Sequence, residues 1–355
     1  MPLSFDTDTP GAYCPQMPFR FAHPEPPRPS ATPRPRVFPV FLPLAGCPGR
    51  CLYCNQPAQT GQAPEPLEAV LARARAELSA LSQPVELAFY GGTFTALPEP
   101  WPHRFLDLAT ELRASGRVTR VRCSTRPDAV TPSQLADLRA RGLDLVELGV
   151  QSFQDAALAA SRRGYGGASA LVACRMVAEA SLSLGIQLLP GMPGHGPDDF
   201  ARDVEVVASL LPKAKPEFVR LYPCLVLEGT PLADLWRAGE FSPWPLSVTI
   251  EALAAALRVL WAAGVPAARL GLAEQAGLAV LAGPRHPALG QMARARALFL
   301  HVRDLLAGLP KPAATLFVPP RWQGEVLGQG NALAADYTGL GLRVEAWGET
   351  EFGLG

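Results

Sequence analysis

The sequence predicts an α/β protein organised around a parallel sheet, and three observations carry that expectation. Six short apolar runs recur between residues 37 and 223, each followed by a stretch whose apolar residues keep a helical period, the pattern of successive βα units. Gly, Pro or polar clusters close each run, as they close strands. Residues of unusual type gather just after the runs, and in βα-barrel enzymes the carboxyl ends of the strands carry the active site. Six units are too few for a closed eight-unit barrel; an open three-quarter barrel and a doubly wound sheet both satisfy the pattern.

The elements follow in order. Residues 15–36, PQMPFRFAHPEPPRPSATPRPR, are crowded with proline, so residues 1–36 are expected to form an extended leader. VFPVFLPLA from Val37 reads as a buried strand that delivers the chain to a cysteine loop. Leu67, Val70, Leu71, Ala74, Leu78 and Leu81 mark one helical face ending before Pro84. VELAFY (85–90) is the second strand, running into GGT; a helix near 101–115 ends at Gly116; VTRVRCS (118–124) is the third strand. Thr131-Pro132 opens a helix with Thr as cap and Pro at its first position. LDLVELGV (143–150), IQLLP (186–190) and EFVRLYP (217–223) complete the six, separated by helices ending near 184 and 211.

With 355 residues the chain can bury a substantial core. A formal net charge of zero and 18% charged residues leave no global basic footprint for nucleic acid. No secretory signal and no run of 18 or more uncharged apolar residues is visible, so a cytoplasmic protein with no membrane partner is expected. Seven cysteines in a reducing compartment argue for metal or catalytic use of the clustered ones. Cys14, Cys123, Cys174 and Cys224 read as buried small side chains.

The cluster is GCPGRCLYCNQ (46–56), with Cys47, Cys51 and Cys54 at C-x3-C-x2-C spacing. Thiolates select zinc or iron–sulfur centres. Zinc would want a fourth ligand, and none of the five histidines stands at zinc-finger spacing. A 4Fe–4S cluster held by three cysteines leaves one iron open, and the N–H groups of a loop eased by Pro48 and Gly49 can bond its sulfurs. After the later strands come YGGTF, STRPD, QSF, PGMPG and YPCLVLEGT; sharing one face with the cysteines, they describe one site.

This cysteine spacing after the first strand, with a GGT turn after the second, resembles the radical S-adenosylmethionine (SAM) superfamily. Within it, VFPVFLPLAGCPGRCLYCNQ, STRPD, ELGVQSF…RRGY, PGMPG and VRLYPCLVLEGTPLADLWRAGEFSPW resemble the radical SAM domain of the catalytic subunit of Elongator, a tRNA wobble-uridine modifying enzyme, over 37–272. The resemblance implies a partial (β/α)6 TIM-type barrel of the radical SAM kind, followed from 273 to 355 by a small α+β extension. It implies a 4Fe–4S cluster on Cys47, Cys51 and Cys54, with SAM as cofactor. Tyr53 takes the aromatic position near the adenine, and Gly91, Gly92 and Thr93 form the turn that meets the methionyl amine. Ser124 and Arg126 lie on the third-strand motif, Gln151 and Arg163 line the SAM site with Arg163 suited to a carboxylate fork, and Met192 and Pro193 close on adenine. A reductant of the flavodoxin or ferredoxin type is implied as partner, and tRNA or another RNA as substrate.

Two departures stand out: Ser124 replaces the glutamate that begins the Elongator-type motif, and Tyr165 replaces a histidine. About 80 residues follow Leu272, too few for an acetyltransferase domain, so no acetyl-CoA-dependent reaction is expected within this chain. The tail reads as β–α–loop–α–β with Gly328-Gln329-Gly330-Asn331 in the loop, resembling part of a KH RNA-binding module. Arg294, Arg296 and Arg303 on a helix within 282–306 would then offer phosphate contacts, or form a solvated face. Two rival functions use the same residues: radical chemistry on a tetrapyrrole or other small molecule, suggested by likeness of GVQSF to oxygen-independent coproporphyrinogen III oxidase, and a non-catalytic iron–sulfur binding protein.

Overall fold

Residues 18–26, 35–210, 214–272 and 277–355 are described by the computed structural model of the chain. The strands are β1 (Phe19–Phe21), β2 (Arg36–Phe41), β3 (Val85–Tyr90), β4 (Val118–Thr125), β5 (Leu145–Gln151), β6 (Ser183–Leu188), β7 (Phe218–Leu221), β8 (Val226–Leu227), β9 (Ala267–Leu270), β10 (Val280–Ala282), β11 (Thr315–Val318), β12 (Arg343–Ala346) and β13 (Phe352–Leu354). The chain divides into two compact units, 24–297 and a second made of 1–23 with 298–355. These bounds differ from the sequence-based ones at 36 and 272.

In the larger unit one sheet runs β2-β3-β4-β5-β6-β7-β9, every neighbouring pair parallel. Strand order never reverses, so the sheet curls into a half-barrel and the doubly wound alternative falls away. The sheet has seven strands, not six. The added one, β9, is short and half-exposed, too weak a pattern to read locally. Along β3 the period of two sends Val85, Leu87 and Phe89 outward, where Phe89 stacks on Phe94 and tilts against Phe105. Tyr90 faces inward, its hydroxyl reaching Glu147 on β5. The helix Leu67–Ser79 buries Val70, Leu71, Ala74 and Leu78, as its periodicity predicts. Thr131 caps Pro132–Ala140 by accepting the Gln134 N–H at 3.3 Å. The strand expected at 186–190 begins earlier, at Ser183, because the preceding helix ends at Glu179.

The smaller unit is a four-stranded sheet, β1-β13-β11-β12, in which β11 and β12 are parallel. Its core gathers Leu298, Phe299, Val302, Leu316, Val318, Val326, Tyr337, Leu342, Phe352 and Leu354. Here the leader expectation needs correcting. Phe19–Phe21 is a sheet strand paired with Phe352–Leu354, while 1–17 and 27–34 of the leader, with Cys14, lie outside the described residues. The tail's β–α–loop–α–β order is present, with short helices at Gln323–Leu327 and Ala334–Gly339. The arginines of the helix Leu289–Ala307 do not stand free: Arg294 pairs with Glu25, Arg296 with Glu251 and Arg303 with its neighbour Asp304. Among the described residues no helix is long and apolar enough to cross a membrane.

Candidate active site

The cysteine loop leaves β2 at the carboxyl edge of the half-barrel and is held there by backbone contacts with the turn after β3. Gly91 and Gly92 both have positive φ, +74° and +59°, a region open to glycine without penalty. A Cβ on Gly92 would stand 2.2 Å from the Ala45 carbonyl oxygen and 2.7 Å from that of Leu42. Gly92 is therefore demanded by the cysteine loop itself, whereas a Cβ on Gly91 would meet only ordinary contacts at 3.5 Å. Thr93 donates its N–H to Ala45 O at 2.7 Å, and its hydroxyl lies 3.3 Å from Cys47 Sγ. Gln56 completes the clamp: its Oε1 accepts the N–H of Gly92 at 2.8 Å and also that of Leu44. Gln56 escaped the sequence reading, although it stands just two positions beyond the last cysteine.

Cys47, Cys51 and Cys54 line one cavity of about 570 Å³, together with Tyr53, Gly91, Gly92, Ser124, Arg126, Gln151 and Arg163, a volume suited to a small-molecule site. Cys51 is buried, and its Sγ receives Arg163 Nη1 at 3.1 Å and Arg126 Nη1 at 3.9 Å. Burial, reinforced by the Cys51 and Cys47 sulfurs, pushes the Cys54 thiol up to about 12. Burial likewise raises Cys47, against the pull of the Thr93 hydrogen bond.

Gln151 ends β5 at φ +67°, an uncommon conformation for a residue with a side chain, and its buried Oε1 has no hydrogen-bond partner. Tyr53 OH is buried and unpartnered as well. Met192 and Pro193 fall outside the cavity lining; Met192 packs instead with Leu52, Leu158, Leu189 and Val226. Thr93 lies beneath the lining and reaches the site through Cys47.

The cavity extends inward to a charged floor absent from the sequence reading. Glu147, 2% exposed, accepts Tyr90 OH at 2.8 Å and lies 2.8 Å from Arg220 Nε and 3.5 Å from Arg122 Nε. Arg220 also donates to Tyr90 OH at 2.9 Å and Tyr222 OH at 3.2 Å. A signal existed: VELAFY, VTRVRCS, LDLVELGV and EFVRLYP each set charge in the middle of an apolar strand.

Comparison with known proteins bears on this geometry. The model of the Radical SAM superfamily matches residues 41–207, and that of the Radical SAM C-terminal domain matches 216–298. The chain belongs to the radical SAM superfamily. Among relatives, it is 29% identical over 265 residues to the tRNA uridine(34) acetyltransferase of Methanocaldococcus infernus, covering 63% of this chain and 49% of that protein. It is 25% identical over 251 residues to human Elongator complex protein 3, covering 59% and 45%. The chain thus spans about half the length of the curated relatives it matches. In fold it resembles the archaeal Elp3 of M. infernus with its N-terminus deleted, at TM-score 0.56 and 24% identity over 77% of this chain and 64% of that one. It also resembles the coproporphyrinogen III oxidase of Escherichia coli, at TM-score 0.50 and 20% identity over 65% and 54%.

Membership of the radical SAM superfamily implies a 4Fe–4S cluster and SAM, and the residues fit them. Three thiols share one cavity, yet among the described residues no group of three or more His, Cys, Asp or Glu could hold a single metal ion. Three thiols on one cavity wall are the donor set that iron–sulfur clusters take. The orphaned Gln151 Oε1 and Tyr53 OH are polar atoms that a bound ligand could satisfy.

Proposed function

We propose that this chain is a radical SAM enzyme that acts on RNA, with tRNA as the first candidate. The observation that carries the reading is the convergence of Cys47, Cys51 and Cys54 with Gln151, Arg126 and Arg163 on one cavity, in a chain whose relatives are named for tRNA uridine(34). Cys47, Cys51 and Cys54 would hold the cluster through their thiolates, and with three protein ligands it would keep a position for SAM. When bound and reduced, that pair supplies a 5′-deoxyadenosyl radical, leaving methionine. Gly91–Thr93 and Ser124 would border the methionyl end of SAM and Tyr53 its adenine side, with Met192 and Pro193 backing the site from the core. Gln151 offers its free Oε1 to a SAM donor group. The half-barrel walls around the cavity would shield that chemistry from bulk water. Electrons come from a small protein of the flavodoxin or ferredoxin type. The proposed reaction is the radical step alone.

The test is anaerobic. Protein reconstituted with iron and sulfide, reduced and given SAM should release 5′-deoxyadenosine, and release should rise when total tRNA is added. Release insensitive to tRNA would redirect the reading to a small-molecule substrate. A complete cluster without cleavage under several reductants would leave an iron–sulfur binding protein. Cys54→Ala should lose both cluster absorbance and cleavage; a full 4Fe–4S signal in that variant would remove Cys54 from the ligand set.

A further inference from the structure

Arg163 is a buried cation, 5% exposed. Among the described residues no carboxylate pairs with it, and Asp128 is taken in a two-pronged bond by Arg126 at 2.9 and 2.8 Å. A charge left without a counter-ion inside a protein is costly. What surrounds the Arg163 guanidinium is instead a set of neutral acceptors and one sulfur. Nε and Nη2 donate to Tyr165 OH at 3.0 and 2.6 Å, Nη2 donates to Gly149 O at 2.6 Å, and Nη1 donates to Cys51 Sγ at 3.1 Å. Those four hydrogen bonds leave one of the five guanidinium N–H groups, too few for a two-pronged grip on a ligand carboxylate.

Tyr165 fixes this arrangement. Its oxygen accepts from Arg163 twice and directs its own proton to Gly149 O or Val150 O, 2.9 and 3.0 Å away, so both lone pairs and the proton are used. Its ring also lies under both guanidinium groups, 5.0 Å from that of Arg163 and 5.3 Å from that of Arg126. Arg126 donates to the Arg163 carbonyl at 2.5 Å and approaches Cys51 Sγ from a second direction. We infer that Arg163 is a tuning residue of the cluster: clamped by Tyr165, it donates to the Cys51 sulfur and supplies the positive charge that stabilises the reduced cluster. The inference rests on the three cysteines holding a 4Fe–4S cluster. Hydrogen bonds to cluster sulfurs and nearby positive charge raise the reduction potential, because the reduced form carries one more negative charge. Tyr165 is then the positioning residue that sets how firmly Arg163 is held.

The experiment is an EPR-monitored redox titration of the reconstituted full chain without SAM, on the unsubstituted protein, Tyr165→Phe, Arg163→Gln and Tyr165→His, with iron and sulfide measured on each. Tyr165→Phe and Arg163→Gln are expected to keep cluster content and shift the midpoint to more negative values, Arg163→Gln further. Tyr165→His, which can still accept from Arg163, should recover part of the shift. An unchanged midpoint at full cluster content in both would overturn the inference and leave the cluster reading standing. Weakened SAM binding by Arg163→Gln with an unchanged midpoint would assign Arg163 to SAM instead. If Arg163→Gln does not fold, Tyr165→Phe decides alone. Absence of any cluster in the unsubstituted protein would sink the cluster reading, and the inference with it.

Discussion

At the scale of single residues, the two glycines of the GGT turn make separable demands. Both sit at positive φ, and placing a side chain there costs about 1–3 kcal/mol. Only Gly92 adds a collision with backbone, the carbonyl oxygens of Ala45 and Leu42, and backbone cannot yield as a flexible side chain can. Gly92→Ala should therefore push the cysteine loop off the turn, strain the Gln56 clamp and lower iron and sulfide per chain after reconstitution. Gly91→Ala should cost stability of the order of the φ strain yet load its cluster normally. The paired measurement is metal content beside melting temperature; equal loading by the two variants would show that the loop tolerates displacement. The same comparison explains what the sequence could reveal here. A Gly-Gly after a strand announces a turn, but which glycine faces a ligand and which faces its own chain depends on where residues 42–45 lie, and that is not local information.

At the scale of elements, the loops after β5 and β6 are tied together by one buried carboxylate. Asp203, on the helix Pro197–Ser209, accepts the Phe153 N–H at 2.8 Å and Gln154 Nε2 at 2.9 Å through Oδ1. Its Oδ2 takes His195 Nε2 at 3.0 Å, while His195 Nδ1 accepts the Gly191 N–H at 3.3 Å. Trp244 stacks on the imidazole and closes over Gly191. Gln151 is thus anchored two residues away by a side chain on the next helix. Asp203→Asn keeps an acceptor for one loop but not for both, at a cost of about 1–3 kcal/mol. The expected result is lower SAM affinity at normal cluster content, with faster hydrogen exchange in both loops. Unaltered affinity and exchange would make the pair a packing feature only. The loops themselves were legible as QSF and the Gly- and Pro-rich PGMPG after apolar runs, and six strands, the Thr131 cap and the helical face from Val70 to Leu78 were readable because each rests on local pattern. Asp203 and His195 were not, since a lone Asp on an amphipathic helix and a lone His in a loop look ordinary until the fold joins them. The strands β1 and β9 escaped for a related reason: Phe19–Phe21 gains its partner only from the far end of the chain, and β9 only from β7.

At the scale of the molecule, burial of thiols makes the metal-free protein sensitive to alkali. Cys54, Cys174 and Cys224 are each pushed by burial from an ordinary 9.0 up to about 12. A folded-state value raised in this way means that above 9.0 the folded chain keeps protons that the unfolded chain has released. Their contribution is therefore fully present below 9.0 and is lost as pH climbs toward about 12, with a slope near 1.4 kcal/mol per pH unit for each thiol. Cluster binding changes one member of this set: a ligating cysteine is deprotonated in the folded state and no longer resists release. Melting temperatures followed from about pH 8 to about pH 10.5 should fall for the metal-free protein and fall less steeply for the cluster-loaded one. Cys174→Ala, remote from the cavity lining, should flatten both curves alike, while Cys54→Ala should flatten the metal-free curve only, since it has no loaded form. A metal-free melting temperature that holds constant across this range would mean that these thiols are solvated in the folded chain.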